Sequence, residues 1–283
     1  GTPRLRIQAE ITFADGTNAI MNSESFRGVI TGPLMYSTVF DGERYDARLE
    51  NADIYTPGLP AGLMNKQWAW AHNTDDPVGQ MVCQRIDPIR VVEEIIPTVI
   101  SNPAEGTYVF DAGRNLAGWA ALNVSGKAGT EIKMRFAETV YENGTVNQEN
   151  LRNAKCEDVY VLKGEGVESW EPSFTYHGFR YVQVEGLASA PKDGDVVIKV
   201  VRSDVKKTGE FSCSNPLLND IHKMVYNTEA SNLHSVPTDC PQRDERMGWL
   251  NDLTVRIEQA IYNFDMSHFY PKFIADITDT QDE

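Results

Sequence analysis

The sequence predicts a chain that is mainly β and turns α near its end, and three observations carry that reading. Apolar residues alternate with polar ones in short runs up to about residue 201, Gly- and Asn-containing turns separate those runs, and after Phe211 the apolar spacing lengthens to three and four. Short strands at such spacing make a sandwich the expected architecture, with helices following it. Residues 1–90 are expected to form the back part of a first β-sandwich, incomplete, with a connecting loop. Residues 91–205 form a second β-sandwich, and residues 206–283 a linker and the first helices of a helical domain.

Leu5, Ile7, Ala9, Ile11 and Phe13 alternate with Arg6, Gln8, Glu10 and Thr12, the period of a half-buried strand, before a turn at Asp15-Gly16. From Asn51 to Pro88 the pattern breaks into sequence rich in Pro, Gly and Trp, an irregular connection in which Trp68, Trp70 and His72 are expected to plug a sandwich edge. Alternation returns in 120–124, at Ile132, Met134 and Phe136, at Val159 and Val161, in 179–184 and in 196–201. Turns fall at Ser125-Gly126, Asn143-Gly144 and Gly164-Glu-Gly166. The aromatic run from Tyr176 to Tyr181 reads as core and cross-strand packing rather than a sugar platform.

Asn215-Pro216 offers an N-cap followed by Pro at the first helical position, with Leu218, Ile221, Val225 and Leu233 behind it. Leu250, Leu253, Ile257, Ile261 and Phe264 make a second amphipathic helix. Met266, Phe269 or Tyr270, Phe273 and Ile277 make a third. Their joint apolar surface exceeds what three helices can cover, so a larger helical domain is expected past Glu283. The opening Gly1-Thr-Pro-Arg is neither an initiator methionine nor an export signal, and the chain reads as cut at both ends.

Composition excludes several functions. A formal charge of −15 argues against a nucleic-acid partner, because binding a phosphate backbone rests on clustered Lys and Arg. No run of eighteen apolar residues suggests a membrane span. The four cysteines, Cys83, Cys156, Cys213 and Cys240, show no Cys-x-x-Cys pair and no His at zinc spacing, and there is no Gly-rich phosphate loop. Neither a metal nor another cofactor is therefore expected, and a neutral substrate fits best. Asn123-Val-Ser125 and Asn143-Gly-Thr145 match the glycosylation sequon, a weak signal outside a secretory eukaryotic context. Self-association into a homo-oligomer through the exposed helical face stays open.

Chemistry concentrates in Thr238-Asp-Cys-Pro-Gln-Arg-Asp-Glu-Arg-Met-Gly-Trp-Leu-Asn-Asp252. Opposed charges packed this densely can hold one carboxyl at an unusual pKa, as a general acid requires, and a flat indole at Trp249 suits a sugar ring. Pro237 and Pro241 keep Asp239 and Cys240 extended. A helix starting near Gln242 would then set Glu245, Trp249 and Asp252 on one polar stripe, with the core stripe Leu250, Leu253 and Ile257 further round. On that geometry Arg246 falls on the packed side as a buried ion-pair partner, and Arg243 reaches back to the loop. Gly248 marks a close approach to the backbone, by a ligand or a crossing helix. An acid working at neutral pH must titrate about 2 units above an ordinary Glu, so the arginines are expected to engage the aspartates instead.

The same run, from Pro237 to Asp252, closely resembles the signature of bacterial α-L-rhamnosidases of glycoside hydrolase family 78. Asp111-Ala-Gly-Arg-Asn-Leu-Ala-Gly-Trp119, Glu149-Asn-Leu-Arg152, Phe174-Thr-Tyr-His-Gly-Phe-Arg-Tyr181 and Thr208–Leu218 resemble the β-sandwich and connector preceding the catalytic barrel of that family. Residues 5–50 resemble the back half of its N-terminal jelly-roll-like domain. The resemblance implies that the helices begin an (α/α)6 barrel. It further implies that Glu245 is the general acid, that Asp239, Trp249 and Asp252, with Arg243 as a weaker inclusion, bind the sugar, and that hydrolysis of terminal α-L-rhamnose proceeds with inversion. The general base would then lie beyond residue 283, leaving the isolated chain inactive. A non-catalytic carbohydrate-binding or scaffolding sandwich module is the alternative, and a periplasmic or secreted setting is slightly favoured over a cytoplasmic one.

Overall fold

The structure, a computed structural model, describes residues 5–23, 27–28, 31–51, 69–70, 74 and 82–281. Two compact units divide the chain, one made of residues 1–33 and 49–83, the other of residues 34–48 and 84–283. In the first unit β1 (Gln8–Thr12) and β2 (Asn18–Asn22) form an antiparallel hairpin turned at Asp15-Gly16, where Gly16 takes φ +83°. The half-burial expected of β1 is not found, since Ile11 and Phe13 are exposed. β3 (Arg27–Gly28) pairs with β6 (Ala69–Trp70) in the same unit. Trp70 is exposed rather than plugging an edge, and Trp68 and His72 lie outside the described residues.

The second unit is built on a sheet of ten strands among the described residues. It begins with β4 (Leu34–Thr38) and β5 (Gly42–Asp46), so this early segment packs with the later chain rather than with the residues flanking it in sequence. β7 (Ile89–Ile95), β8 (Thr98–Ala104), β9 (Thr107–Ser125) and β10 (Glu131–Ala137) follow, then the small hairpin of β11 (Thr139–Val140) and β12 (Val146–Asn147). β13 (Glu157–Val161), β14 (Val167–Trp170), β15 (His177–Glu185) and β16 (Val196–Ser203) complete it. The order is β4-β5-β13-β10-β15-β9-β16-β7, with β5 parallel to β13 and with β8 and β14 also paired to β9.

Period two explains the core. Ile132, Met134 and Phe136 of β10, Val182 and Val184 of β15, and Leu122 and Val124 of β9 all point inward and are buried, each stabilising the fold by about 2 kcal/mol. β9 is long because it serves two sets of neighbours. Its first residues pair with β8 and β15, its last with β16 and β14. Gly118 sits where partners change, and a Cβ there would lie 1.9 Å from the Lys199 carbonyl oxygen.

Three helices close the unit: α1 (Pro216–Ser231), α2 (Leu250–Asn263) and α3 (Phe269–Asp279). As expected, Asn215 caps α1, its side chain accepting from the Leu217 N–H at 3.0 Å. Leu253, Ala260, Phe264, Phe269 and Phe273 form the helical core with Leu233 and Val205. Leu218, Ile221, Leu250, Ile257 and Ile261 do not join it and are exposed, so α2 buries one stripe through Leu253 and Ala260, α1 packs on the core only through Tyr226 and Ala230, and both leave apolar residues uncovered. None of the described helices is long and apolar enough to cross a membrane.

Candidate active site

The helix expected from Gln242 begins only at Leu250, with Trp249 as its N-cap, so residues 241–249 are loop. Two features hold them there. The Asp239 N–H donates to the Met247 carbonyl at 3.0 Å while the Met247 N–H donates to Asp239 Oδ1 at 2.8 Å, which takes away the bonds a helical turn would use. Arg246 adopts φ +54°, a left-handed conformation that few residues tolerate. Its buried guanidinium donates to the carbonyls of Val39, Tyr176 (2.6 Å), Gln242 (3.1 Å) and Arg243 (3.1 Å), and lies over the rings of Tyr176 and Phe40 at 4.9 and 5.6 Å. Arg246 is thus buried, but on carbonyls and aromatic faces instead of an ion pair. The single polar stripe is replaced by Glu245 on the loop, Trp249 at the cap and Asp252 in the first turn of α2.

The sandwich forms the floor of this loop. At Gly178 of β15 a Cβ would come within 2.7 Å of Pro241 and of the Gln242 nitrogen, so only glycine lets the loop lie down on the strand. Beside it the Cys156 thiol donates to the Gln242 carbonyl at 3.1 Å, and Asn153 donates through Nδ2 to Asp244 Oδ2 at 2.8 Å. His177 and Phe179 are core residues packed on Phe136, as expected for that aromatic run. From the helical side, Phe273 presses on Gly248, where a Cβ would meet its ring at 2.7 Å. The close approach inferred at Gly248 is therefore a packing helix.

On this frame Asp239, Cys240 and Glu245 bring a carboxylate oxygen, a sulfur and a carboxylate oxygen within 4.8 Å of one another. Positive charge for the trio comes from arginine. Arg243 Nη2 lies 3.1 Å from Glu245 Oε2 and 3.6 Å from Asp239 Oδ2, and Arg152 Nη1 donates to Glu245 Oε2 at 2.9 Å. The other oxygen, Oε1, accepts from the Trp249 indole N–H at 2.9 Å. Burial would raise the Asp239 carboxyl, but hydrogen bonds from the Cys240 thiol and the Met247 N–H, with the Arg243 charge, hold it below the usual range. Burial and the neighbouring Asp239 push the Cys240 thiol up, which disfavours its thiolate. The expectation that the arginines would leave Glu245 for the aspartates is corrected: Arg243 bridges both acids, and Arg152 is given to Glu245.

Asp239 also lines a hollow of about 390 Å³ between α1 and α2, together with Asp252, Glu229, Asn232 and Arg256. Glu229 and Arg256 escaped sequence reasoning. Burial raises the Glu229 carboxyl, which accepts from Gln259 at 2.7 Å, while Arg256 donates to the Thr238 carbonyl at 2.8 Å and so steadies the residue before Asp239. Arg152 was missed as well, although it stands inside the quoted Glu149-Asn-Leu-Arg152 segment.

Comparison with known proteins places these features. An alpha-L-rhamnosidase N-terminal domain matches residues 1–93, a bacterial alpha-L-rhamnosidase concanavalin-like domain residues 101–202, and a bacterial alpha-L-rhamnosidase 6 hairpin glycosidase domain residues 206–283. An alpha-L-rhamnosidase of Streptomyces avermitilis is 36% identical over 280 residues, 99% of this chain and 27% of that protein. One from Formosa agariphila is 34% identical, over 98% and 29%. Among solved structures, the alpha-L-rhamnosidase from Dictyoglumus thermophilum superposes with a TM-score of 0.92 at 42% identity, covering 98% of this chain and 31% of that one. The Streptomyces avermitilis alpha-L-rhamnosidase complexed with L-rhamnose gives 0.90 at 37%, covering 98% and 26%. The chain spans 27–30% of the length of the curated relatives it matches. With rhamnosidase domains matched in succession along it and the sandwich, connector and helices superposing on solved relatives, the chain belongs to the bacterial α-L-rhamnosidase family.

Proposed function

We propose that this chain carries the acid-bearing part of a site that hydrolyses terminal non-reducing α-L-rhamnose from rhamnose-containing glycosides, with inversion at the anomeric carbon. Glu245 gives a proton to the departing glycosidic oxygen, and Asp239, Arg243, Trp249 and Asp252 hold the sugar. The observation that carries the reading is the meeting of Asp239 and Glu245 within 4.8 Å, with Trp249 bonded to Glu245 and with Asp239 shared by the hollow that Asp252 lines. The rhamnose complex of a relative supports the choice of sugar.

Inversion calls for a second carboxylate that activates water on the opposite face, roughly 6.5 to 9.5 Å from the acid. This reading places that base outside the 283 residues. The chain by itself should then leave an aryl α-L-rhamnoside intact, and robust turnover by it alone would refute the assignment. The test of Glu245 is Glu245→Gln in the complete gene product that carries this chain. Rhamnose affinity should persist, and turnover should fall most for glycosides with poor leaving groups, by roughly 10²-fold or more. Equal activity toward activated and natural glycosides after the change would remove Glu245 from the role, whereas rhamnose binding by the complete wild-type gene product without any turnover would leave the non-catalytic sugar-binding alternative.

A further inference from the structure

Arg152 belongs to the sandwich, 93 residues before the carboxylate it binds. Its backbone takes φ +58° and ψ −115°, a conformation that non-glycine residues rarely adopt. The next residue, Asn153, donates from both its backbone N–H (3.3 Å) and its side-chain amide (2.8 Å) to Asp244 Oδ2. The turn at 152–153 therefore clasps two successive acidic residues of the loop. Such a half-exposed ion pair contributes little to stability. Its effect falls on the carboxylate: Trp249 holds Oε1 while Arg152 and Arg243 hold Oε2, so both oxygens are fixed in direction.

We infer that Arg152 is a positioning residue for the reaction proposed above, a clasp from the sandwich that orients Glu245. The charges facing Glu245 are Arg152 from the sandwich, and Arg243, Asp239 and the Cys240 thiol from the loop. Glu138, raised by burial, faces Arg243 from behind. Arg243 already serves both Asp239 and Glu245, so Arg152 is the cation whose removal changes Glu245 without also releasing Asp239. Without Arg152 the carboxylate keeps only the partners of its own loop, Trp249 and Arg243, and loses its tie to the sandwich.

The experiment compares kcat and KM for a rhamnoside with a poor leaving group and for an activated aryl α-L-rhamnoside, on the complete gene product and its Arg152→Gln variant. For the poor leaving group kcat should fall by roughly tenfold with KM little changed, the activated glycoside should lose far less, and Arg152→Lys should recover most of the loss. Asn153→Ala, which loosens the same clasp from the neighbouring residue, should show the same split to a smaller degree. If Arg152→Gln proves too unstable to assay, raising ionic strength on the wild type screens the exposed pair and should lower kcat in the same selective way. A loss equal for both glycosides, or none at all, overturns this role for Arg152. No turnover by the wild type at any pH overturns the rhamnosidase reading itself, a separate result.

Discussion

At the scale of single residues, the loop owes its shape to two side chains of opposite size. Arg246 satisfies carbonyls from three parts of the unit at once, at Val39, Tyr176 and Gln242 to Arg243. Replacing it with methionine would keep the apolar stem and strand those acceptors, so Arg246→Met should destabilise the protein by roughly 3 kcal/mol, read as a shift in the denaturant midpoint. Gly178 acts through having no side chain. Gly178→Ala would thrust a methyl at Pro241 and Gln242, and hydrogen exchange should show residues 240–246 opening while the core strands β10 and β15 keep their protection. Equal protection throughout would show that the strand yields instead of the loop. Neither residue advertises this in sequence. Arg246 finds partners 70 and 207 positions away, and Arg152 meets Glu245 across 93, distances that local spacing does not encode.

At the scale of elements, what could be read and what could not divide along the same line. Strands β9, β10 and β16 were legible because each buries alternate residues along much of its length, and a period of two survives in sequence whatever the strand pairs with, while β13 and β15, buried on both faces, were legible from their apolar and aromatic runs. The start of α1 was legible because its cap is local, Asn215 acting on Leu217. Asn215→Ala should therefore cost about 1 kcal/mol of stability, and Asn215→Asp should recover it. The start of α2 was not legible. Residues 242–249 are compatible with helix, and what stops them is Asp239 bonded to Met247 and Arg246 anchored in the sandwich. The uncovered residues of α1 and α2 were anticipated as surplus apolar surface, but which residues face the core depended on that later start.

At the scale of the whole folded unit, two buried histidines make stability depend on pH in opposite senses. Burial next to the Arg246 charge brings His234 down to about 3, so it stays neutral in the fold while the unfolded chain takes up a proton below 6.5. Stability is then lost as pH falls from 6.5 toward 3. For His177, burial opposes the charge but the Asp158 carboxylate, 3.0 Å away, outweighs it and raises the imidazole to about 9. That contribution is complete below 6.5 and lost as pH rises to 9. Melting temperature should peak near pH 6.5 and decline on both sides. His234→Phe should flatten the decline between pH 6 and 4, above the range where lowered carboxylates such as Asp111 act, and His177→Gln should lower the peak while flattening the alkaline side. A profile unchanged by both substitutions would contradict the assignment.

Gly178, Cys156 and the turn at Arg152 and Asn153 press on residues 240–246 from strands that precede the helices in the chain. The reactive segment is thus cast against a mould that the helical part does not own. Helices grafted onto a foreign β partner, or trimmed back to residue 206, would still wind, yet the stretch from Cys240 to Arg246 would set against nothing. Sandwich and helices are consequently bound to be inherited together, and chimeras that exchange one without the other should fail first in the loop.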